Sequence, residues 1–396
     1  MGSRLPIRLR ARWSCVAGPA LALIVAAAVA VEVTGAPDVP LYARYAHEAL
    51  TAPYLHRLPV EYPAASLGIF LLPRLLPLPY VMAFSMLAEL GLLALLLSSD
   101  GLAARPGWSR RVAVYFLLGA FCVLVARYDV FPALCALLAV ERARSGRWGR
   151  AWAWGVLGAL LKVFPVLLLP GFLLAERRSS GRWPLRRVLA SAMAVAAVLG
   201  AQLAIAPRSV ISPLSYELHR GFELSSLGGS LTLLADPGQV RWISGYGSIE
   251  VAGPHAVLIG ALVAVLGVAS LAAIWRLSAG GRLGVEATSL AVLSVAVLSD
   301  RAFAAQYLVW LVPLWAYWEI RRGWLAAAGL TTLVFPFLYV EAATLGPGYY
   351  VATATAAVRN GILVVSTLLW LREQLADDRA GLQVPAKDLP ALPALT

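Results

Sequence analysis

Apolar runs recur along this chain from about residue 15 to residue 371, and short arginine-bearing stretches separate them. That alternation is the strongest constraint on the fold. A run of about 20 apolar residues can cross a hydrocarbon core as a helix, because every backbone polar group is then satisfied inside the segment. Composition agrees. Of the 396 residues, 60% are hydrophobic and 14% charged, and the mean hydropathy is +0.76, whereas a soluble domain averages roughly a quarter charged residues. The expected fold class is all-α: a polytopic transmembrane helical bundle of about 10–12 spans, some of them short and broken. Residues 1–371 form a single integral-membrane domain, and 372–396 a polar, disordered tail.

A net charge of +12 can signal nucleic-acid binding. Here the arginines sit in short loops between apolar runs, which is the positive-inside pattern and sets orientation instead. No nucleic-acid partner is expected. Arg4, Arg8, Arg10 and Arg12 precede the first run, from about Cys15 to Val33. That segment reads as a retained first helix with a cytoplasmic N-terminus. Arg105, Arg110 and Arg111, then Arg142, Arg144, Arg147 and Arg150, then Arg177, Arg178, Arg182, Arg186 and Arg187 mark successive returns to the cytoplasm. The C-terminus is also cytoplasmic. Cys15, Cys122 and Cys135 lie in or beside apolar runs without ligand spacing, and the four histidines are dispersed. No metal site and no cofactor are expected.

Between the arginine-rich returns lie the outer turns. The first outer loop spans about 35–62, ahead of a short helix near 63–75 and a full span near 80–98. Two apolar blocks are each split by a proline-marked turn, "RYDVFP" at 127–132 and "LKVFP" at 161–165. Each half of the first block has about 14 residues, roughly 21 Å of helix, short of a ~30 Å core. A span near 188–206 leads to the longest loop, 207–253. Spans follow near 254–275, 283–299, 306–318, 324–345 and 351–371, with a turn at Gly346, Pro347 and Gly348 before the last.

The outer turns carry charge that orientation does not require: Asp38 to Glu61, Arg127 with Asp129, Lys162, His219 to Glu223, and Asp300 with Arg301. Charges at membrane depth are costly, and they face the interior or a wet cavity. Cations beside a carboxylate suit a lipid-phosphate-linked sugar. The cations hold the phosphate as a leaving group, and the carboxylate takes a proton from the attacking hydroxyl.

The same segments, in the same order, resemble the bacterial family 87 glycosyltransferases of the GT-C class. The likeness is carried by Asp38 with Tyr42 ahead of "PY" at 53–54 and "VEYP" at 60–63, by the two proline-marked turns, by "RGFELSS" at 220–226 and by "DRAFAAQYLVWLVP" at 300–313. It extends from about residue 16 to residue 371. Ala64, Ser225, Arg301 and Ala305 depart from the family's usual proline, acid, lysine and proline. The resemblance implies inverting transfer of mannose from a polyprenyl-phosphate donor to an envelope glycolipid or polysaccharide acceptor, at the outer face of the plasma membrane. By position it makes Asp38 the general base.

Each candidate also has a structural reading. Asp38 is either that base or the N-cap of the next helix. Glu61 either orients the acceptor or pairs with Arg57. Arg44 and Glu48 have the spacing of an i,i+4 pair, and Arg127 and Asp129 pair with each other or contact substrate. Lys162 binds the donor phosphate or snorkels to the interface. Arg220 and Arg301 are further phosphate ligands or local ion pairs. Tyr42, His219, Glu223 and Gln306 are candidate sugar or acceptor contacts, and Trp310 a stacking platform. The rival to an enzyme is a transporter or lipid-linked-sugar flippase, for which internal repeats are expected and none is found.

Overall fold

The computed structural model describes residues 7–34, 38–51, 58–59, 61–98, 105–339 and 348–381. The Arg57 partner expected for Glu61, the turn at Gly346 and Pro347, and the tail from 382 onward lie outside them. The described residues are 77% helical, so the all-α expectation holds at the level of secondary structure. Among them, four helices are long and apolar enough to cross a membrane: α4 (Tyr80–Leu97), α9 (Leu185–Ile205), α12 (Ala256–Ala279) and the last helix, α16 (Gly348–Gly381). The helix α1 (Ile7–Thr34) precedes them, and its described side chains Leu23, Ala27 and Ala30 enter the core.

Both proline-marked blocks are pairs of short helices joined through a polar turn. In the first, α5 (Trp108–Gly119) turns through residues 120–129 into α6 (Val130–Arg144). In the second, α7 (Trp148–Leu161) turns through the 3-10 segment Phe164–Leu168 into α8 (Leu169–Ser180). Proline sits in the first turn of α6, of the 3-10 segment and of α8, where its missing N–H costs nothing. Arms of 12 to 15 residues are roughly 18–23 Å long.

The centre of the bundle is α13 (Val285–Ser299) with α14 (Leu308–Trp315), whose eight residues are all buried. Trp315 stacks on Trp324 of α15 (Arg322–Thr332), with ring centroids 5.4 Å apart. At the other extreme, α9 buries only Gln202 and exposes Leu189, Met193 and Leu203. A helix apolar all round and barely covered by protein suits a lipid environment.

The two ends of the bundle differ in charge. At one end Arg144 pairs with Glu286 at 3.2 Å, Arg187 pairs with the buried Glu176, and Arg178 donates to the Ser278 carbonyl at 2.6 Å. A recess of about 430 Å³ there is lined by Arg144, Trp148, Arg178 and Glu286. α16 runs on past Arg372 at this end, where Arg321 pairs with Glu373 at 2.5 Å.

The opposite end holds the turns that the sequence places outside. The segment 207–253, expected as a loop, is ordered instead. It contains α10 (Pro207–His219), α11 (Leu227–Ala235) and a three-stranded antiparallel sheet. Strands β1 (Phe222–Glu223), β2 (Arg241–Gly245) and β3 (Ser248–Ala252) lie in the order β1–β3–β2. β2 and β3 form a two-residue hairpin at Tyr246 and Gly247, both with positive φ (49° and 68°). That backbone matches the natural strand twist.

Close packing of α5 on α14 and α15 depends on Gly119. A Cβ there would lie 2.6 Å from Leu308 Cδ1 and 3.0 Å from the Ala328 backbone. Gly119→Val is expected to cost about 1–3 kcal/mol by overpacking. Gly361→Ala, with nothing within 4 Å, should leave stability unchanged or slightly raised. Thermal unfolding of both variants in detergent checks the contrast.

Candidate functional site

Asp38 stands at the N-cap of α2 (Val39–Ala49) with φ −90° and ψ −19°, and its side chain caps no backbone N–H. The carboxylate instead pairs with Arg127. Among the described residues, its other hydrogen-bond neighbour is the Tyr42 hydroxyl at 3.5 Å, one helical turn on. Residues 38, 42 and 45 share a face of α2, and that face looks inward. Tyr42 is fully buried, stacked on Phe70 at 4.4 Å and edge-on to Tyr62 and Tyr128. Tyr45 donates its hydroxyl to Glu61, so Glu61 has a partner within the first loop. Arg44 lies over the Tyr45 ring at 5.5 Å rather than beside Glu48.

Arg127 and Asp129 do not pair with each other. Asp129, at the N-cap of α6 and 2% exposed, accepts from Lys162 Nζ at 2.7 Å and from Trp310 Nε1 at 2.7 Å. Lys162 terminates α7 in an extended conformation (φ −154°, ψ 138°). Its ammonium sits among three aromatic faces: Trp310 at 5.0 Å, Tyr128 at 5.1 Å and Tyr307 at 5.8 Å. Such a cage offsets part of the cost of removing the charge from water. Trp310 is stacked between Phe164 (4.0 Å) and Tyr307 (4.2 Å). Both its faces are taken, which corrects the expectation that it stacks on a sugar or lipid.

The remaining candidates meet where β1 touches the turn at 300–303. Glu223, 4% exposed, accepts from Ser225 Oγ at 2.7 Å and from the Phe303 N–H at 3.1 Å. Its own N–H donates to the Arg301 carbonyl at 2.8 Å. Arg301 donates through Nη1 to the carbonyls of Arg220 (2.7 Å) and Leu218 (3.0 Å), so it clamps the loop. Arg220 is buried; it bonds Ser248 Oγ at 3.3 Å and lies 3.6 Å from Glu217, with its Nε unbonded. His219 turns its Nδ1 to the Ser215 carbonyl at 2.8 Å and is exposed. Gln306 is half-buried in the 3-10 turn Ala305–Tyr307.

These groups form one neighbourhood. Tyr307 lies within electrostatic reach of Asp129, Arg220 and Asp300, and Tyr216 of α10 within reach of Asp38, Glu61 and Arg220. The structure therefore brings together turns that the sequence could only group by side. It also adds residues the sequence reading did not single out. Arg359 and Asn360, mid-helix in α16, are fully buried. Both donate to the Ser225 carbonyl, and Arg359 lies 3.7 Å over the Phe303 ring. An arginine inside an apolar run was the available signal. Tyr62 and Tyr128 lie inside the "VEYP" and "RYDVFP" segments, and that position was their available signal. Among the described residues, no group of three His, Cys, Asp or Glu side chains could hold a metal ion.

No protein-family model matches the sequence, and no curated protein matches it.

The two ion pairs differ in burial, which predicts unequal losses when each is broken. Lys162→Met leaves a carboxylate stranded at 2% exposure and is expected to cost about 3–5 kcal/mol. Asp129→Asn with Lys162→Met should recover most of that loss. Arg127→Gln, whose partner Asp38 is 18% exposed, should cost less. Thermal unfolding of the three variants decides the ranking.

Asp300 gives a pH signature. Desolvation, and then the negative charge of Glu217, push its carboxyl up to about 6, from about 3.9 in an unfolded chain. The folded state thus holds this proton more tightly. Its stabilising contribution is full below the unfolded value and is lost as pH rises through about 6. Asp300→Asn keeps an acceptor for the Ala302 N–H, 3.2 Å away in the native turn. It is expected to flatten the dependence of Tm on pH between about 4 and 6 and to raise Tm at pH 8.

Proposed function

We propose that the chain is a polytopic membrane glycosyltransferase of the GT-C type, with its arginine-rich end in the cytoplasm and its site at the outer face of the plasma membrane. The donor is a polyprenyl-phosphate sugar, mannose by the sequence resemblance. The acceptor is a hydroxyl of an envelope glycolipid or polysaccharide. The observation that carries this reading is the convergence of two Asp–cation pairs, Asp38–Arg127 and Asp129–Lys162, from separate turns onto one end of the bundle.

The reaction asks little more of the protein than placement and charge. The acceptor oxygen bonds to the sugar's anomeric carbon. The bond from that carbon to the phosphate oxygen breaks, and its electron pair stays on the phosphate. The hydroxyl proton goes to Asp38. Attack from the face opposite the phosphate inverts the anomeric centre. Arg127, Lys162 and Arg220 supply positive charge for the leaving phosphate, while Arg301 and Arg359 hold the loop and turn beside it. Tyr42, Glu61 and Gln306 remain the candidate sugar and acceptor contacts.

Asp38, Asp129 and Lys162 all sit at helix termini. A transporter site is expected near the bilayer midplane, whereas both Asp–cation pairs lie in turns grouped at one end of the bundle, which favours chemistry at one face. Incubation of the purified chain with labelled polyprenyl-phosphate mannose and envelope lipid acceptors tests the assignment. Transfer of label is expected in wild type. Asp38→Asn should lower turnover by roughly 10²–10⁴ in a protein that stays folded at the assay temperature. Wild-type turnover in that variant would sink the assignment of the base.

A further inference from the structure

The two ion pairs of the site are not equally easy to open. Asp129 is 2% exposed and holds both Lys162 and Trp310. Taking Lys162 away would leave a buried carboxylate with a single indole N–H, and would empty a cage of three rings. An uncompensated charge in such a place is strongly unfavourable. Asp38 is in the opposite position. It starts a surface helix, its side chain caps nothing, and it is 18% exposed. Among the described residues, its other hydrogen-bond contact is a marginal 3.5 Å approach from Tyr42. Its partial exposure gives the carboxylate a route to water on leaving Arg127.

Arg127 comes from the turn between α5 and α6, and its side chain is 20% exposed. A guanidinium presents a planar fork of donors that fits a phosphate as well as it fits a carboxylate. While it holds Asp38, the guanidinium engages the carboxylate through Oδ2, the same oxygen that Tyr42 approaches. The same residue is therefore able to silence the base or bind the leaving group.

We propose that the Asp38–Arg127 pair is a latch opened by the donor. This rests on the transferase reading for the class of ligand, a lipid-linked phosphate. The donor phosphate takes the Arg127 fork, and Asp38 is released to face the acceptor hydroxyl. Bond formation at the sugar carbon, departure of the phosphate with its electron pair onto Arg127, and proton transfer to Asp38 then follow. When the polyprenyl phosphate leaves and Asp38 gives up its proton to water, the pair closes again. The donor binds first, and neither water nor acceptor meets a free base before it arrives. The Asp129–Lys162 pair stays closed throughout and fixes the turns against each other.

The test is equilibrium binding of polyprenyl monophosphate to the full chain in lipid nanodiscs, in a double-mutant cycle of Asp38→Asn and Arg127→Gln. Asp38→Asn removes the competitor for the guanidinium and is expected to tighten binding by about tenfold. Arg127→Gln should weaken it by a similar factor. In the Arg127→Gln background, Asp38→Asn should have no effect. An equal gain from Asp38→Asn in both backgrounds would mean simple charge repulsion and would overturn the latch. So would no gain in either. Both results leave the donor class standing. Failure of the wild-type chain to bind polyprenyl monophosphate overturns the donor class and the latch together. If Arg127→Gln does not fold, Arg127→Lys replaces it. That variant keeps the charge but loses the fork, and the gain from Asp38→Asn should shrink.

Discussion

A carboxylate almost without water, Asp129, organises this end of the molecule. Its charge has to be matched where it sits. The match comes from Lys162 of the second hairpin turn and Trp310 of α14. Three segments distant in sequence are therefore fixed at one point. The ring stack Phe164–Trp310–Tyr307 and the aromatic cage around Lys162 follow from that fixation.

Around this point the rest of the site is assembled in layers. α2 lays Asp38, Tyr42 and Tyr45 against the first hairpin turn and the short helix near Phe70. β1 is zipped to the turn at 300–303 through Glu223 and Arg301, and Arg359 and Asn360 support both from behind. The outcome is a division of labour between charges. Deeply buried groups hold geometry. The partly exposed pair Asp38–Arg127 is the one that is able to change partners.

Hydropathy and arginine placement made the helical class, the paired short helices and the grouping of polar turns legible in the sequence. Those signals are local, and they survive in any packing. Partner choice was not legible. Arg127 and Asp129 are two residues apart, a spacing at which side chains diverge, and each is claimed by a different neighbour that only the tertiary structure brings near. The hydropathy pattern places 241–252 in a loop, yet Tyr246–Gly247 between Trp242–Ile243 and Ile249–Val251 carries the hairpin signal. Trp310 carried no mark of which neighbours would cover its faces.

A structure of the full chain with polyprenyl phosphate bound tests the central claim most directly. The expected result places the phosphate on the Arg127 guanidinium, with Asp38 withdrawn from Arg127 and the Asp129–Lys162 pair still closed. Phosphate bound at the arginine-rich end, with the Asp38–Arg127 pair intact, would contradict the account.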